Sequence, residues 1–140
     1  MRISVIHGPN LNLLGQRPTE LYGALQLKDI EALIQNHFPA LAFDFFQSNI
    51  EGEIIDEIQK CIREHTPIII NPGGYSHTSV AIRDALEILT APKIEVHLSN
   101  IHAREEFRQH SITGSVCNGV IAGLKEKGYI LAVQGILQLL

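Results

Sequence analysis

The 140 residues include 11 Lys and Arg against 15 Asp and Glu, 45% are hydrophobic, and the formal net charge is -4. Such a chain buries roughly two-thirds of its unfolded surface, so one domain over residues 1–140 is expected and disorder is excluded. No basic run suits a phosphate backbone, no stretch reaches the ~18 apolar residues of a membrane helix, the first residues are unlike a signal peptide, and Cys61 and Cys117 suit free thiols: no nucleic acid, no membrane and a cytoplasmic location are expected.

From the amino terminus, RISVI (2–6) reads as a strand, followed by the long loop HGPNLNLLGQRPTELYG (7–23). DIEALIQNHF (29–38) spaces its apolar residues as a helix does, LAFDFF (41–46) reads as a strand, and EIIDEIQKCIREH (53–65) as a second helix. PIII (67–70) is a strand leading into the loop NPGGYSHTS, and SVAIRDALEIL (79–89) is a helix. KIEVHL (93–98) and CNGVIAG (117–123) are the last two strands, and LKEKGYILAVQGILQLL (124–140) closes the chain as a helix weakened by Gly128 and Gly135. The alternation predicts an α/β fold: a flavodoxin-like, doubly wound five-stranded parallel sheet of order 2-1-3-4-5 with helices on both faces. Ligands in such sheets lie beyond the carboxyl ends of the strands, where the order reverses.

Chemistry-bearing residues gather at those ends. Within KIEVHL, Ile94, Val96 and Leu98 point to one face while Glu95 and His97 point to the other, so a carboxylate can hold an imidazole in one tautomer. A structural buried pair is the alternative. Arg104 and Arg108 are four residues apart in AREEFR, which reads as a short helix presenting both guanidinium groups on one face, either to an anion or to Glu105 and Glu106. NPGGYSHTS offers Asn71, two glycines where backbone can approach a ligand, His77, and Thr78 or Ser79 as a helix cap. The first loop is long for a compact domain, which favours a binding role, and it pairs Arg17 with Tyr22, a cation able to favour a phenolate. His7, His77 and His97 at strand ends leave a three-imidazole metal site open, although no familiar local ligand spacing is present.

Taken together, GPNLNLLGQR and YG, then NPGGYSHTSVAIRDAL, then IEVHLSNIHAREEFRQHS resemble type II 3-dehydroquinate dehydratase over nearly the whole chain. The resemblance implies a hydro-lyase that converts 3-dehydroquinate to 3-dehydroshikimate by anti elimination through an enolate, with no cofactor and no metal. Such a step serves shikimate formation or quinate breakdown. It implies Tyr22 as general base, Arg17 as promoter of its phenolate, His97 as the acid oriented by Glu95, and Asn10 as holder of the water at the enolate oxygen. Asn71 and the amides of Leu98 and Ser99 would receive the substrate carboxylate, His77 and Arg108 its hydroxyls, and Arg104 would belong to the lid. A homo-oligomer is implied as well, a dodecamer of trimers in which Asp84 reaches a neighbouring subunit's site.

One departure from the family concerns Pro18, which follows Arg17 directly, whereas the family has another residue between them and proline where Thr19 stands here. The spacing from Arg17 to Tyr22 is unchanged, but a residue before proline is pushed toward extended conformations, so a displaced Arg17 is expected. The other known route for this dehydration uses a lysine imine; Lys28, Lys60, Lys93, Lys125 and Lys127 fall on predicted helix surfaces, at a strand start or near a loop. A metal-dependent hydrolase and a non-catalytic flavodoxin-like binding module are the competing readings.

Overall fold

The computed structural model describes residues 1–140. Strands β1 (Arg2–His7), β2 (Ala42–Gln47), β3 (Ile68–Asn71), β4 (Lys93–His97) and β5 (Gly119–Ala122) pair in parallel in the order β2-β1-β3-β4-β5. The helices are α1 (Thr19–Tyr22), α2 (Leu27–His37), α3 (Glu51–Glu64), α4 (Val80–Ile88) and α5 (Lys127–Leu139). This is the flavodoxin-like, doubly wound sheet expected from the alternation of elements. No helix is long and apolar enough to cross a membrane.

Burial explains the strand chemistry. Every residue of β3 and β4, and all of β1 after Arg2, is buried, as a parallel sheet covered on both faces requires. Ile3, Val5, Ile69, Ile94 and Val96 meet Ile30 and Ile34 of α2 and Ala132, Val133 and Ile136 of α5 in one core. Ile6, Ile68 and Ile70 meet Ile54 and Ile58 of α3 and Ile82, Ala85 and Leu86 of α4 in the other. The period-two alternation thus sorts side chains into two layers. Local signals set the helix starts: Gln26 and Asp29 form a reciprocal capping box before α2, and the Ser79 hydroxyl accepts the Ile82 N–H at the head of α4.

Two expectations change. AREEFR forms no continuous helix: Arg104 is extended (φ -111, ψ -167) between 3-10 turns at Ile101–Ala103 and Glu106–Arg108. The Arg108 N–H donates to the Glu105 carbonyl instead of to that of Arg104, which accepts from the Gln109 side chain at 3.0 Å. The closing helix begins at Lys127, after Lys125 takes a left-handed conformation at φ 52. Its glycines have a packing cause, since a Cβ at Gly135 would stand 2.7 Å from Ile94 Cδ1 and one at Gly128 3.2 Å from Val96 Cγ1. Their absence lets α5 ride close to β4.

His7 ends β1 with no exposed surface, its ring 5.5 Å from that of Tyr129 and without a well-formed hydrogen bond. Burial pushes its pKa from 6.5 down to about 4, only partly offset by the Phe46 backbone. The unfolded chain therefore protonates His7 first as pH falls. The resulting contribution to stability is complete above pH ~6.5 and is lost on descent toward pH ~4, reaching about 3 kcal/mol. We expect urea unfolding at about pH 7.5 and about pH 4.5 to show a smaller loss for His7→Asn than for the wild type; equal losses would place the acid sensitivity elsewhere.

Candidate active site

The site is assembled where the loops after β1 and β3 meet. The Gly8 N–H donates to the Asn71 carbonyl at 2.8 Å, and a Cβ on Gly8 would stand 2.3 Å from the Pro72 oxygen, so only glycine permits this approach. Asn10 follows in a left-handed conformation at φ 68, with its N–H held by Asn49 Oδ1 at 3.0 Å. The Asn49 carbonyl in turn accepts from the Tyr75 hydroxyl at 2.9 Å, so three strand-end loops brace one another.

Beyond Asn10 the first loop forms a 3-10 turn, Leu11–Leu13, whose Leu11 is buried in the α2/α5 core, and then the single-turn helix α1. Pro18 immediately precedes α1 as its N-cap residue, and its carbonyl accepts the Tyr22 N–H at 3.1 Å. Arg17 is therefore not displaced from its tyrosine: its Nη2 donates to Tyr22 Oη at 2.7 Å, and its guanidinium lies 3.7 Å from the ring centroid. Arg104 reaches the same oxygen at 2.8 Å and Ser99 Oγ at 3.2 Å. Burial, with Arg104 and Arg108 nearby, lowers the pKa of Arg17, opposed by Tyr22.

On β4 the Glu95 carboxylate has no exposed surface and accepts from His97 Nε2 at 2.7 Å. The hydroxyls of Ser111 and Thr113 also donate to it. A carboxylate accepts only, so Nε2 carries a proton and Nδ1 is the nitrogen left for a ligand. His77, stacked at 6.2 Å from the His97 ring, has Nδ1 at 2.9 Å from the His110 carbonyl, which likewise fixes its proton there and leaves Nε2 free.

All the expected site residues except Glu95 and Asp84 line one cavity, which Pro9, Leu11, Gly73, Gly74 and Ile101 complete. Glu95 sits behind His97, and Asp84 lies exposed on α4, paired with Arg83 at 2.9 Å. Arg17, Arg104 and Arg108 face the cavity, whose lining contains no carboxylate and no lysine. Arg108 is engaged by Glu105 at 2.8 Å. Lys93, the buried lysine, points its ammonium at the Leu89 carbonyl. His7 lies apart from this lining, and no group of three or more His, Cys, Asp or Glu is arranged to hold a metal ion.

Sequence reasoning missed Ser111, Thr113 and the His110 carbonyl. The only signal was their position shortly after the arginine-rich loop, because hydroxyls that serve a carboxylate sixteen or eighteen residues away leave no periodic trace.

The family model for class II dehydroquinase matches residues 1–137. The chain is 50% identical to the 3-dehydroquinate dehydratase of Wolinella succinogenes over 142 residues, covering 100% of this chain and 86% of that one. It is also 50% identical to the enzyme of that name from Campylobacter jejuni, covering 99% and 89% of the two chains. The crystal structure of type II dehydroquinase from Butyrivibrio crossotus superimposes with a TM-score of 0.94 at 46% identity, over 98% of this chain and 97% of the other. With the family model matched over residues 1–137 and relatives at about 50% identity covered over most of their length, the chain belongs to the class II dehydroquinase family.

Proposed function

We propose that the protein dehydrates 3-dehydroquinate to 3-dehydroshikimate in the shikimate pathway, by anti elimination through an enolate. The observation that carries the reading is a phenol oxygen held by two guanidinium groups in the same carboxylate-free cavity as a carboxylate-backed imidazole. Arg17 and Arg104 stabilise the negative charge left when the phenol proton departs. The Tyr22 oxygen then takes the proton next to the substrate ketone, and the electron pair moves onto the ketone oxygen, where Asn10 orients a water. As the enolate reforms the carbonyl, the carbon–hydroxyl bond breaks and His97 Nδ1 supplies the proton that makes water. Glu95, held by two hydroxyls, stabilises the imidazolium that performs this step. Asn71 with the amides of Leu98 and Ser99 receives the substrate carboxylate, while His77 and Arg108 take ring hydroxyls, Arg108 exchanging Glu105 for the ligand.

The decisive measurement is the ultraviolet absorbance of the conjugated enone formed from 3-dehydroquinate. Wild-type protein should generate it. Tyr22→Phe, which keeps the ring but removes the base, should lower kcat by about 10²–10⁴-fold with KM little changed. Near-normal turnover would exclude Tyr22 as the base.

A lysine imine has no role here, so borohydride added with substrate should leave activity intact. Substrate-dependent inactivation would overturn the elimination mechanism just described.

The same reading extends to assembly. Asp84 is outside its own chain's cavity and its side chain is 60% exposed, which suits a residue offered to a neighbouring subunit in a trimer of the dodecamer. Asp84→Ala should therefore raise KM while the particle mass by light scattering stays that of the dodecamer. A monomeric wild type with full activity would remove Asp84 from the site.

A further inference from the structure

Asn71 is the cavity residue whose side chain is tied down from beneath the sheet. Its Oδ1 accepts the Gly73 N–H at 3.1 Å, and its Nδ2 donates to Tyr129 Oη at 3.2 Å. The first contact decides which end of the amide faces which way, because a flip would set Nδ2 against another N–H. The second restrains the tilt of the amide, leaving its remaining N–H for a ligand. Tyr129 itself belongs to α5, has no exposed surface, and does not line the cavity. Its ring rests on that of His7, the residue paired in register with Asn71 on the adjacent strand. Hence the hydroxyl at the far end of a buried ring reaches the underside of the substrate-facing amide.

We propose that Tyr129 is a positioning residue for substrate binding, acting through Asn71 to pre-orient the donor that meets the substrate carboxylate. This rests on the dehydratase reading above, in which Asn71 contacts that group. Without the hydroxyl, Asn71 keeps its Gly73 bond but gains torsional freedom that binding must then remove. Burial raises the pKa of Tyr129, opposed by its bond to Asn71, so the phenol stays neutral beneath the carboxylate site.

The test is Tyr129→Phe, assayed with 3-dehydroquinate. Loss of one restraining hydrogen bond should raise KM about three- to tenfold with kcat within about twofold. A role limited to packing would lower stability and the active fraction while leaving KM unchanged. Asn71→Ala should raise KM further, and Asn71→Ala combined with Tyr129→Phe should be no worse than Asn71→Ala alone. Additive effects, or an unaltered KM in Tyr129→Phe, would overturn the proposal. Should Tyr129→Phe not fold, the wild type still decides: hydrogen exchange followed by nuclear magnetic resonance should show one protected Nδ2 proton on Asn71 without any ligand. Free exchange of both protons would also overturn it. This last measurement needs no turnover, so an inactive wild type would sink the dehydratase reading while the Tyr129 contact remained separately testable.

Discussion

The site depends on the backbone contact between Gly8 and the β3 loop. A methyl group at Gly8 would fall 2.3 Å from the Pro72 oxygen, far inside van der Waals distance, so any other residue must drive the ends of β1 and β3 apart. Those ends carry Asn10 on one side and Asn71 on the other, and the long first loop leaves from the same point. Two neighbouring parallel strands whose connections depart in opposite directions open a crevice by topology alone. The glycine contact makes the crevice narrow and fixes its floor. Tyr22, which arrives from the far side of that loop, is then set by packing into the α2/α5 core and by Arg17 and Arg104 on its oxygen.

Electrostatics separates the roles of the acidic groups from those of the cations. The whole chain is anionic at -4, yet the cavity lining offers three guanidinium groups and no carboxylate. An anion therefore finds locally favourable charge on an otherwise repulsive molecule. The Glu95 carboxylate is withheld from the cavity and placed behind His97. A fully buried carboxylate is costly unless its oxygens are satisfied, and here Ser111, Thr113 and His97 all contact them. The same segment offers the His110 carbonyl to His77, so residues 110–113 fix the His77 proton directly and hold the carboxylate that fixes the proton of His97.

What the sequence disclosed follows the range over which each feature acts. The Glu95/His97 interruption was legible because strand alternation is local: two residues fix a face. The sheet order was legible because apolar runs and helical spacings alternate through the chain. Arg104 and Arg108 show the limit. Both line the one cavity, but not through helical spacing, which does not operate across an extended Arg104. The turn of helix that carries Tyr22 was hidden inside a loop reading, because four residues are too few for a periodic signal. Ser111 and Thr113 left no signal beyond their place in the chain and Tyr129 left none, because their contacts are with tertiary neighbours.

The two glycines of α5 carry this point furthest. Glycine in a helix costs about 1 kcal/mol relative to alanine, and α5 contains two, which makes it a poor helix by propensity. Both positions face β4, and a side chain at Gly135 would press on Ile94 while one at Gly128 would press on Val96. Relief of that pressure by moving the helix outward would carry Tyr129 with it. The 3.2 Å contact to Asn71 has little slack, since a hydrogen bond weakens steeply a few tenths of an ångström beyond that length. Helix propensity is thus given up where close approach to the sheet is needed, and the C-terminal helix gains a hold on the floor of a site that it does not touch.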